Sequence, residues 1–164
     1  MSERRLLGPG FPDDTGEADP ALRRALTSYD ERPELHADAL AALAGARLLV
    51  PVVAVLGEVE VGEDGLSRDK TSEMAAVLLE GADGRLAMLA FTGTDAMAAW
   101  NPAARPVPVS AATAAQAALQ ERAAALVVDV AGPATYVLEG DDLVGVASGW
   151  TLTRVGNRTA WLTE

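Results

Sequence analysis

The sequence predicts an α/β fold, with α+β as the alternative, in a single domain whose mixed β-sheet contains an antiparallel hairpin and packs against helices. Two observations predict this fold. Short β-branched apolar runs, bounded by glycine and proline, are typical of buried strands. Between them lie segments with apolar residues three and four positions apart, which are typical of amphipathic helices. With 164 residues, the chain is long enough to bury one such core.

Residues that cap or begin helices mark the predicted helices. Asp19 followed by Pro20 is a strong start signal, because the carboxylate caps free N–H groups and proline fits the first turn. Ser110 has the same capping role, and Gly45 and Gly149 are expected to stop two other helices. The predicted helices are one that starts at Asp19-Pro20, one from Pro33 to Ala44, one from Thr94 to Trp100, an alanine-rich one from Ser110 to about Arg122, and a short one that Asp141 caps and Gly149 ends.

Several apolar segments are predicted to be strands. The segment from Gly81 to Gly84 is a strong turn signal, so the strands on either side of it should be antiparallel neighbours. Pro51 lacks the N–H group that a ladder needs, which favours an edge or a bulge at this point of the first strand. The predicted strands are Arg47–Leu56, Glu73–Glu80, Arg85–Phe91, Val107–Val109, Ala125–Val130 and Thr135–Leu138.

Composition divides the chain into three parts. Residues 1–18 are rich in glycine, proline and acidic residues, which predicts a flexible acidic N-terminal arm. Residues 19–149 form the predicted α/β domain. Residues 150–164 carry Trp150 and Trp161 among alternating polar and apolar residues, and we expect them to form a C-terminal tail or an extra strand.

Charge and composition argue against several classes of protein. The formal charge of −11 and the pI near 4.5 repel phosphate backbones, so we expect no direct nucleic-acid binding, whereas a basic protein partner suits this surface. Without cysteine the chain has no disulfide, thiolate nucleophile or cysteine-bound metal. It shows neither the apolar region of a signal peptide nor an apolar run that spans a bilayer. We therefore expect a cytoplasmic protein, and formation of a homo-oligomer stays open.

The most informative segment is the junction where the strand ending at Phe91 gives way to the helix starting at Thr94. Such a junction leaves free backbone N–H groups, which Thr94 or Asp95 can cap and which can otherwise bind an anion. The spacing matches neither a P-loop nor a dinucleotide-binding fingerprint. Asp129 lies inside an apolar strand and needs a partner or an exit to solvent. The candidate ligand-binding residues are Thr92, Thr94, Asp95, Trp100 and Asp129.

Two other features have both a chemical and a structural interpretation. His36 is the sole histidine, and without a cysteine it needs distant carboxylates to act in catalysis, so we expect a solvent-facing helix position without chemistry. The acidic residues Asp13, Asp14, Glu17 and Asp19 can gather a hard cation, but they lack the pattern of a calcium loop. A solvated arm with a helix cap is favoured. We therefore expect no metal, no cofactor and no catalytic residues.

The order of several segments resembles a known family. It runs from Arg47-Leu-Leu-Val-Pro51, through Arg85 to Phe91-Thr92 and Trp100, to Ala125-Leu-Val-Val-Asp129 ahead of Gly132-Pro133. These segments, with the leader from Gly10 to Leu22, resemble the SseB N-terminal-domain family, the "enhanced serine sensitivity" proteins, in members from high-GC bacteria. The resemblance implies a compact α/β domain with no established catalytic residues. Gly93 stands where other members have serine, which argues against a serine nucleophile.

Taken together, these features predict a non-enzymatic cytoplasmic adaptor or regulatory domain that acts through protein–protein contacts. Two alternatives stay open. One is a domain that binds a small ligand, either an amino acid or an anion, at the start of the Thr94 helix. The other is a regulatory factor linked to translation or amino-acid metabolism, which the resemblance alone implies. An unrecognised hydrolase or transferase is a third class.

Overall fold

The computed structural model describes residues 11–56, 59–61, 67–69, 72–156 and 158–163. Its helices begin close to the predicted starts. The Asp19 carboxylate accepts a hydrogen bond from the Ala21 N–H at 2.9 Å, and Ser110 Oγ accepts one from the Thr113 N–H at 3.1 Å, so both predicted caps are confirmed. The helices are α1 (Pro20–Glu31), a 3-10 turn (Pro33–Leu35), α2 (His36–Ala44), α3 (Thr94–Trp100), α4 (Ala111–Gln120) and α5 (Gly140–Ser148).

Three helix boundaries differ from the prediction. Helix α2 begins at His36 and not at Pro33, because residues 33–35 form a 3-10 turn. Helix α4 ends at Gln120 because Arg122 adopts a left-handed φ of 59°, which a helix cannot contain. Asp141 does not cap α5, since the cap position is Glu139 and its side chain makes no capping bond. Asp141 lies instead in the first turn, where a carboxylate still interacts favourably with the helix dipole.

The strands form two main ladders and two small hairpins. One ladder has the order β4-β1-β7, and the other has the order β5-β6-β8-β9, in which β6 and β8 are parallel and the other pairs antiparallel. A bridge between Leu49 and Phe91 joins β1 to the chain just after β6. The strands are β1 (Arg47–Leu56), β2 (Val59–Val61), β3 (Ser67–Asp69), β4 (Ser72–Ala76), β5 (Leu78–Glu80), β6 (Leu86–Ala90), β7 (Arg105–Ser110), β8 (Ala125–Val128), β9 (Tyr136–Glu139), β10 (Thr151–Val155) and β11 (Arg158–Leu162). The predicted mixed α/β fold is confirmed.

The predicted hairpin forms, but its first strand is divided. Residues 78–80 pair with β6 across the Gly81–Gly84 turn, in which Gly84 has a left-handed φ of 82°. Residues 72–76 leave this ladder and pair with β1. The break at Val77 lets one continuous chain segment serve both ladders.

Pro51 lies on the central strand of the three-stranded ladder, so the prediction of an edge was wrong. Its register partner in β7 is Pro106. Two prolines cannot exchange N–H···O bonds, so they must occupy a pair that needs none. On the other side of β1, Pro51 falls between the Leu49–Phe91 bridge and the β4 ladder, which begins at Val52. The missing N–H group is therefore tolerated.

Two apolar clusters lie on opposite faces of the four-stranded sheet. The larger contains Met88, Leu126 and Leu138 from one sheet face and packs against α1, α2, α4 and α5. The smaller contains Leu89 and Phe91 from the other face and packs against α3. Within the described residues, no helix has the length and apolar composition needed to cross a bilayer.

The C-terminal hairpin of β10 and β11 forms a ladder of its own and attaches to α5. Trp161 Nε1 donates a hydrogen bond to Asp142 at 3.0 Å, and the indole ring lies directly over Gly145. A Cβ atom on residue 145 would overlap this ring. The absence of a side chain at Gly145 therefore permits the close approach of hairpin and helix.

Candidate functional site

The predicted site residues lie where the parallel strands β6 and β8 end. Thr92 follows β6 and Asp129 follows β8, and the carboxyl ends of parallel neighbours meet at the same sheet edge. The Asp129 N–H donates to the Ala90 carbonyl at 3.0 Å, which extends the parallel ladder to the edge itself. This edge is the structural position at which α/β proteins commonly place functional side chains.

Asp129 and Thr92 form the buried centre of this group. One Asp129 carboxylate oxygen accepts from the Thr92 N–H at 2.8 Å, and the other accepts from Thr92 Oγ1 at 2.7 Å. Asp129 is only 2% exposed and has a left-handed φ of 56°, a conformation that aspartate tolerates better than most residues. Thr92 is therefore the polar partner that we expected for the buried carboxylate of Asp129.

Burial raises the pKa of Asp129 above its ordinary value, because desolvation disfavours the carboxylate. The two hydrogen bonds from Thr92 and the positive charge of Arg23 act in the opposite direction and stabilise the ionised form. The hydrogen bonds from the Thr92 N–H and Oγ1 therefore oppose the effect of burial on the Asp129 carboxylate. All of these partners are residues of the same domain.

Arg23 extends the group from helix α1. Its Nη2 donates to Thr92 Oγ1 at 2.9 Å, and both of its terminal nitrogens donate to the Asp95 carboxylate, at 2.6 and 2.9 Å. The bidentate bond to Asp95 raises the pKa of Arg23, and the same bond holds the pKa of Asp95 below its ordinary value. A chain of polar contacts therefore runs from Asp95 through Arg23 and Thr92 to Asp129.

Arg47 connects the same sheet edge to the segment before α1. Its guanidinium donates to the Thr92 carbonyl at 2.9 Å and to the Glu17 carbonyl at 2.6 Å, and its Nε forms an ion pair with Asp14. The Asp14 carboxylate also accepts from the Gly16 N–H at 2.6 Å. Residues 11–18, part of the predicted arm, contain no helix or strand but are held by these contacts, whereas residues 1–10 lie outside the described residues.

The start of α3 lacks the predicted side-chain cap, and its Thr94 N–H is not open. The Thr94 N–H donates to the Gly16 carbonyl at 2.8 Å, and the cap position is Gly93, which makes no side-chain bond. The expectation that Thr94 or Asp95 caps this helix was therefore wrong. Tertiary contacts explain the difference, since Asp95 pairs with Arg23 and the preceding segment takes up the Thr94 N–H.

The five predicted site residues divide into three groups in the structure. Thr92, Asp95 and Asp129 belong to one network, whereas Thr94 borders it through its backbone. Trp100 lies apart, packed on Phe91 with ring centroids 5.6 Å apart. A hollow of about 350 Å³ beside the network is lined by Thr94 and Asp95 but not by the other three. This hollow therefore does not connect the five predicted residues.

Arg23 and Arg47 are the network residues that the sequence analysis missed as site residues. The buried position predicted for Asp129 implied some polar partner, but the sequence separation between Arg23 and Asp95 is 72 positions. Helical periodicity places Arg23 beside the apolar residue Leu22 without indicating its partner. Only the topology of the fold brings these elements together.

The His36 side chain is 37% exposed at the start of α2, and it also has a partner, which the sequence analysis did not identify. Its Nε2 lies 3.1 Å from Asp142 Oδ2, and its ring packs edge-on against Tyr29 with centroids 5.5 Å apart. The other Asp142 oxygen accepts from Trp161 Nε1. His36 therefore contributes to the contact between α2, α5 and the C-terminal hairpin.

The same region contains a cleft of about 660 Å³ between the start of α2 and the C-terminal hairpin. Arg154 reaches across it and donates to Asp38 at 2.6 Å. His36, Glu34 and Arg158 also line the cleft, so charges of both signs surround it. Throughout the described part of the chain, this cleft included, no group of three or more acidic or histidine side chains is arranged to hold a metal ion.

One face of the four-stranded sheet is covered only in part. The pairing registers place Leu79, Ala87, Ala125 and Glu139 in one row across the sheet, and Leu89, Val127 and Val137 in the next. Helix α3 packs on the second row at Leu89. Among the described residues, Leu79 of the first row and Val137 of the second are exposed, and Ala87 and Ala125 lie between them in a depression. We call Leu79, Ala87, Ala125, Val137 and Glu139 the open sheet face.

Comparisons with known proteins give one match. The family model described as the SseB protein N-terminal domain matches residues 22–144, which include the four-stranded sheet and the network at its edge. Comparisons with curated proteins and with solved structures gave no match.

Proposed function

Because the chain belongs to the SseB family, we propose that it is a non-enzymatic adaptor or regulatory domain of the cytoplasm, which acts through protein–protein contacts. The observation that carries this proposal is the open sheet face. Leu79 and Val137 are 40% and 48% exposed there, on either side of Ala87 and of Ala125, which is 7% exposed at the bottom of the depression between them. Exposed apolar side chains that flank a depression mark interaction sites more often than isolated apolar residues do.

The position of this face supports the proposal. Sheets in α/β domains are normally covered on both faces, and here the core face lies under α1, α2, α4 and α5. In the described part of the chain, α3 packs against one end of the opposite face. A partner that covers Leu79 and Val137 would complete the second layer.

The polar network at the strand ends supports a structural role for the residues first considered as a ligand site. Asp129, Thr92, Asp95 and the two terminal nitrogens of Arg23 bond to one another, so a ligand at these groups would have to replace existing bonds. Arg23 Nε is the exception, because it has no partner among the described residues. Their proposed function is to fix the sheet edge to α1 and to the segment before it. This leaves the open sheet face as the proposed contact surface.

A photocrosslinking amino acid at residue 137 tests the proposal in cells. We expect an adduct with another protein from position 137, and loss of that adduct when Leu79→Asp is added. Position 155 is the matched control, because Val155 is 66% exposed on the C-terminal hairpin, away from the sheet face. Adducts of equal yield from positions 137 and 155, or adducts unaffected by Leu79→Asp, would refute the role of this face. Adducts between two copies of the chain would instead assign the face to a homo-oligomer.

A second candidate function is the binding of a small anion or amino acid, and the cleft between α2 and the hairpin favours it. The volume of about 660 Å³ is ample for such a ligand, and Arg158 supplies a positive charge at its wall. Thermal melts with inorganic phosphate and with free amino acids test this candidate. Stabilisation that Arg158→Ala removes and Arg105→Ala retains would support the cleft, whereas no stabilisation by either probe would reject it.

A further inference from the structure

We propose that the occupant of the open sheet face is a basic amphipathic segment of a partner protein, which inserts apolar side chains between Leu79 and Val137 and places lysine or arginine beside the acidic rim. This inference rests on the proposed function and adds the chemistry of the partner. Three arguments support the inference. They are the shape of the face, the negative charge of its rim, and the other classes of binding partner that this charge repels.

The shape of the face suits apolar side chains of moderate size. Ala87 and Ala125 are register partners in the two central strands, and their small side chains form the floor of a depression of about 350 Å³. Leu79 and Val137 stand on the flanking strands and form its walls. A larger residue at either alanine would fill this space. The depression can therefore receive side chains such as leucine or valine from outside.

The rim of the face carries net negative charge. Glu139 belongs to the same row as the alanines, and Glu80 and Asp83 line the depression on the hairpin side. Arg85 is the single positive group of this rim; its Nε donates to Asp83 at 2.6 Å, and its pKa is raised first by Asp83 and further by the charge of Glu139. Asp83 is neutralised by this ion pair, so Glu139, together with Glu80 at the end of β5, gives the rim its excess of negative charge.

The negative charge of the rim favours one class of binding partner over others. A second copy of this chain would bring the same acidic rim and a formal charge of −11, so like charges would face each other. Nucleic acids and anionic membrane surfaces are repelled for the same reason. A basic segment meets complementary charge at the rim and apolar surface at the centre, which is the usual arrangement of a protein interface.

The test uses the full chain and two synthetic amphipathic peptides of equal length. One peptide has leucines on one face and lysines on the other, and its counterpart has glutamate at every lysine position. Fluorescence anisotropy measures the binding of each labelled peptide at physiological salt. We expect the lysine peptide to bind and the glutamate peptide to bind at least tenfold more weakly.

Two pairs of variants locate the binding. Glu139→Lys should weaken binding of the lysine peptide several-fold, and Val137→Ser should weaken it by roughly tenfold, because it removes apolar contact surface. The controls are Glu121→Lys, an exposed position that changes the net charge equally, and Val155→Ser. Circular dichroism melts verify that all four variants fold, and Glu139→Gln provides a milder second change at the rim.

The outcomes separate this inference from the proposed function. Equal weakening by Glu139→Lys and Glu121→Lys would show attraction to an acidic protein in general and would overturn the inference. Equal binding of the lysine and glutamate peptides would also overturn it, since the rim would then exert no selection. If neither peptide binds while position 137 still gives the Leu79-dependent adduct in cells, the inference fails and the proposed function stands. Loss of both signals rejects both.

Discussion

Replacing Asp129 with alanine tests whether the polar network stabilises the fold. The change removes the acceptors of two hydrogen bonds from Thr92, at 2.8 and 2.7 Å, and leaves the Thr92 N–H buried without its acceptor. Hydrogen bonds to a charged group contribute about 1.5–3 kcal/mol each, and the lower end applies here because burial disfavours the carboxylate. The left-handed φ of 56° costs alanine roughly 1 kcal/mol more than aspartate. We expect a loss of about 4 kcal/mol in the free energy of unfolding.

Asp129→Asn is the matched comparison. Asparagine tolerates the left-handed conformation and retains one acceptor for the Thr92 N–H, so its cost should be about 1 kcal/mol. Urea denaturation followed by circular dichroism at neutral pH measures both variants, with the exposed Asp30→Ala as a control that should change the free energy of unfolding by less than about 0.5 kcal/mol. If Asp129→Ala costs no more than Asp129→Asn, the reasoning from the hydrogen bonds is wrong.

The raised pKa of Asp129 adds a pH dependence with a definite sign. The folded protein holds the Asp129 proton to higher pH than the unfolded chain, whose carboxyl has the ordinary value of 3.8. The contribution of this group to the free energy of unfolding therefore decreases as the pH rises from 3.8 through the raised pKa. Relative to wild type, Asp129→Asn should lack this decrease. An identical pH profile for the two proteins would contradict the assignment.

Two further predictions concern other contacts. Asp95→Asn should lower the free energy of unfolding by only about 0.5–1 kcal/mol at neutral pH, because the ion pair with Arg23 is partly exposed. Since Arg23 lowers the pKa of Asp95, this difference from wild type should vanish as the pH falls through that lowered pKa. Urea denaturation at a series of pH values measures it. Gly145→Ala should displace Trp161, because the new Cβ atom would overlap the indole ring, and should speed tryptic cleavage within the β10–β11 hairpin. The exposed control Val144→Ala should not change the cleavage rate. Equal cleavage rates for the two variants would show that the hairpin does not depend on this contact.

Features that depend on neighbouring residues could be predicted from the sequence. The caps at Asp19 and Ser110 and the turn from Gly81 to Gly84 each require only residues within a few positions of one another. The strands could be predicted for a similar reason, since an apolar β-branched run has few other stable states. The division of residues 72–80 between two ladders could not, because it depends on where β1 lies in space.

The errors at the candidate site have one physical cause. The sequence predicts that Thr94 or Asp95 caps α3 because the first N–H groups of a helix need acceptors, and this need is real. In the structure, a backbone group supplies the acceptor at the start of α3, since the Thr94 N–H donates to the Gly16 carbonyl. Asp95 is then available to Arg23. A local rule identifies the unsatisfied group, but the choice among distant partners depends on the tertiary fold.

The positions of the polar network and of the open sheet face are related because successive side chains of a strand point to opposite faces of the sheet. Phe91 and Leu89 point to the face that α3 covers, and Ala87, two residues earlier on β6, points to the same face beyond the end of that helix. Helix α3 has only seven residues, so it cannot extend over the whole strand. The network fixes the sheet edge from which α3 starts, and the short length of α3 leaves the Ala87 row uncovered. The length of α3 thus determines where the proposed contact surface begins, and the polar network lies at the start of that helix.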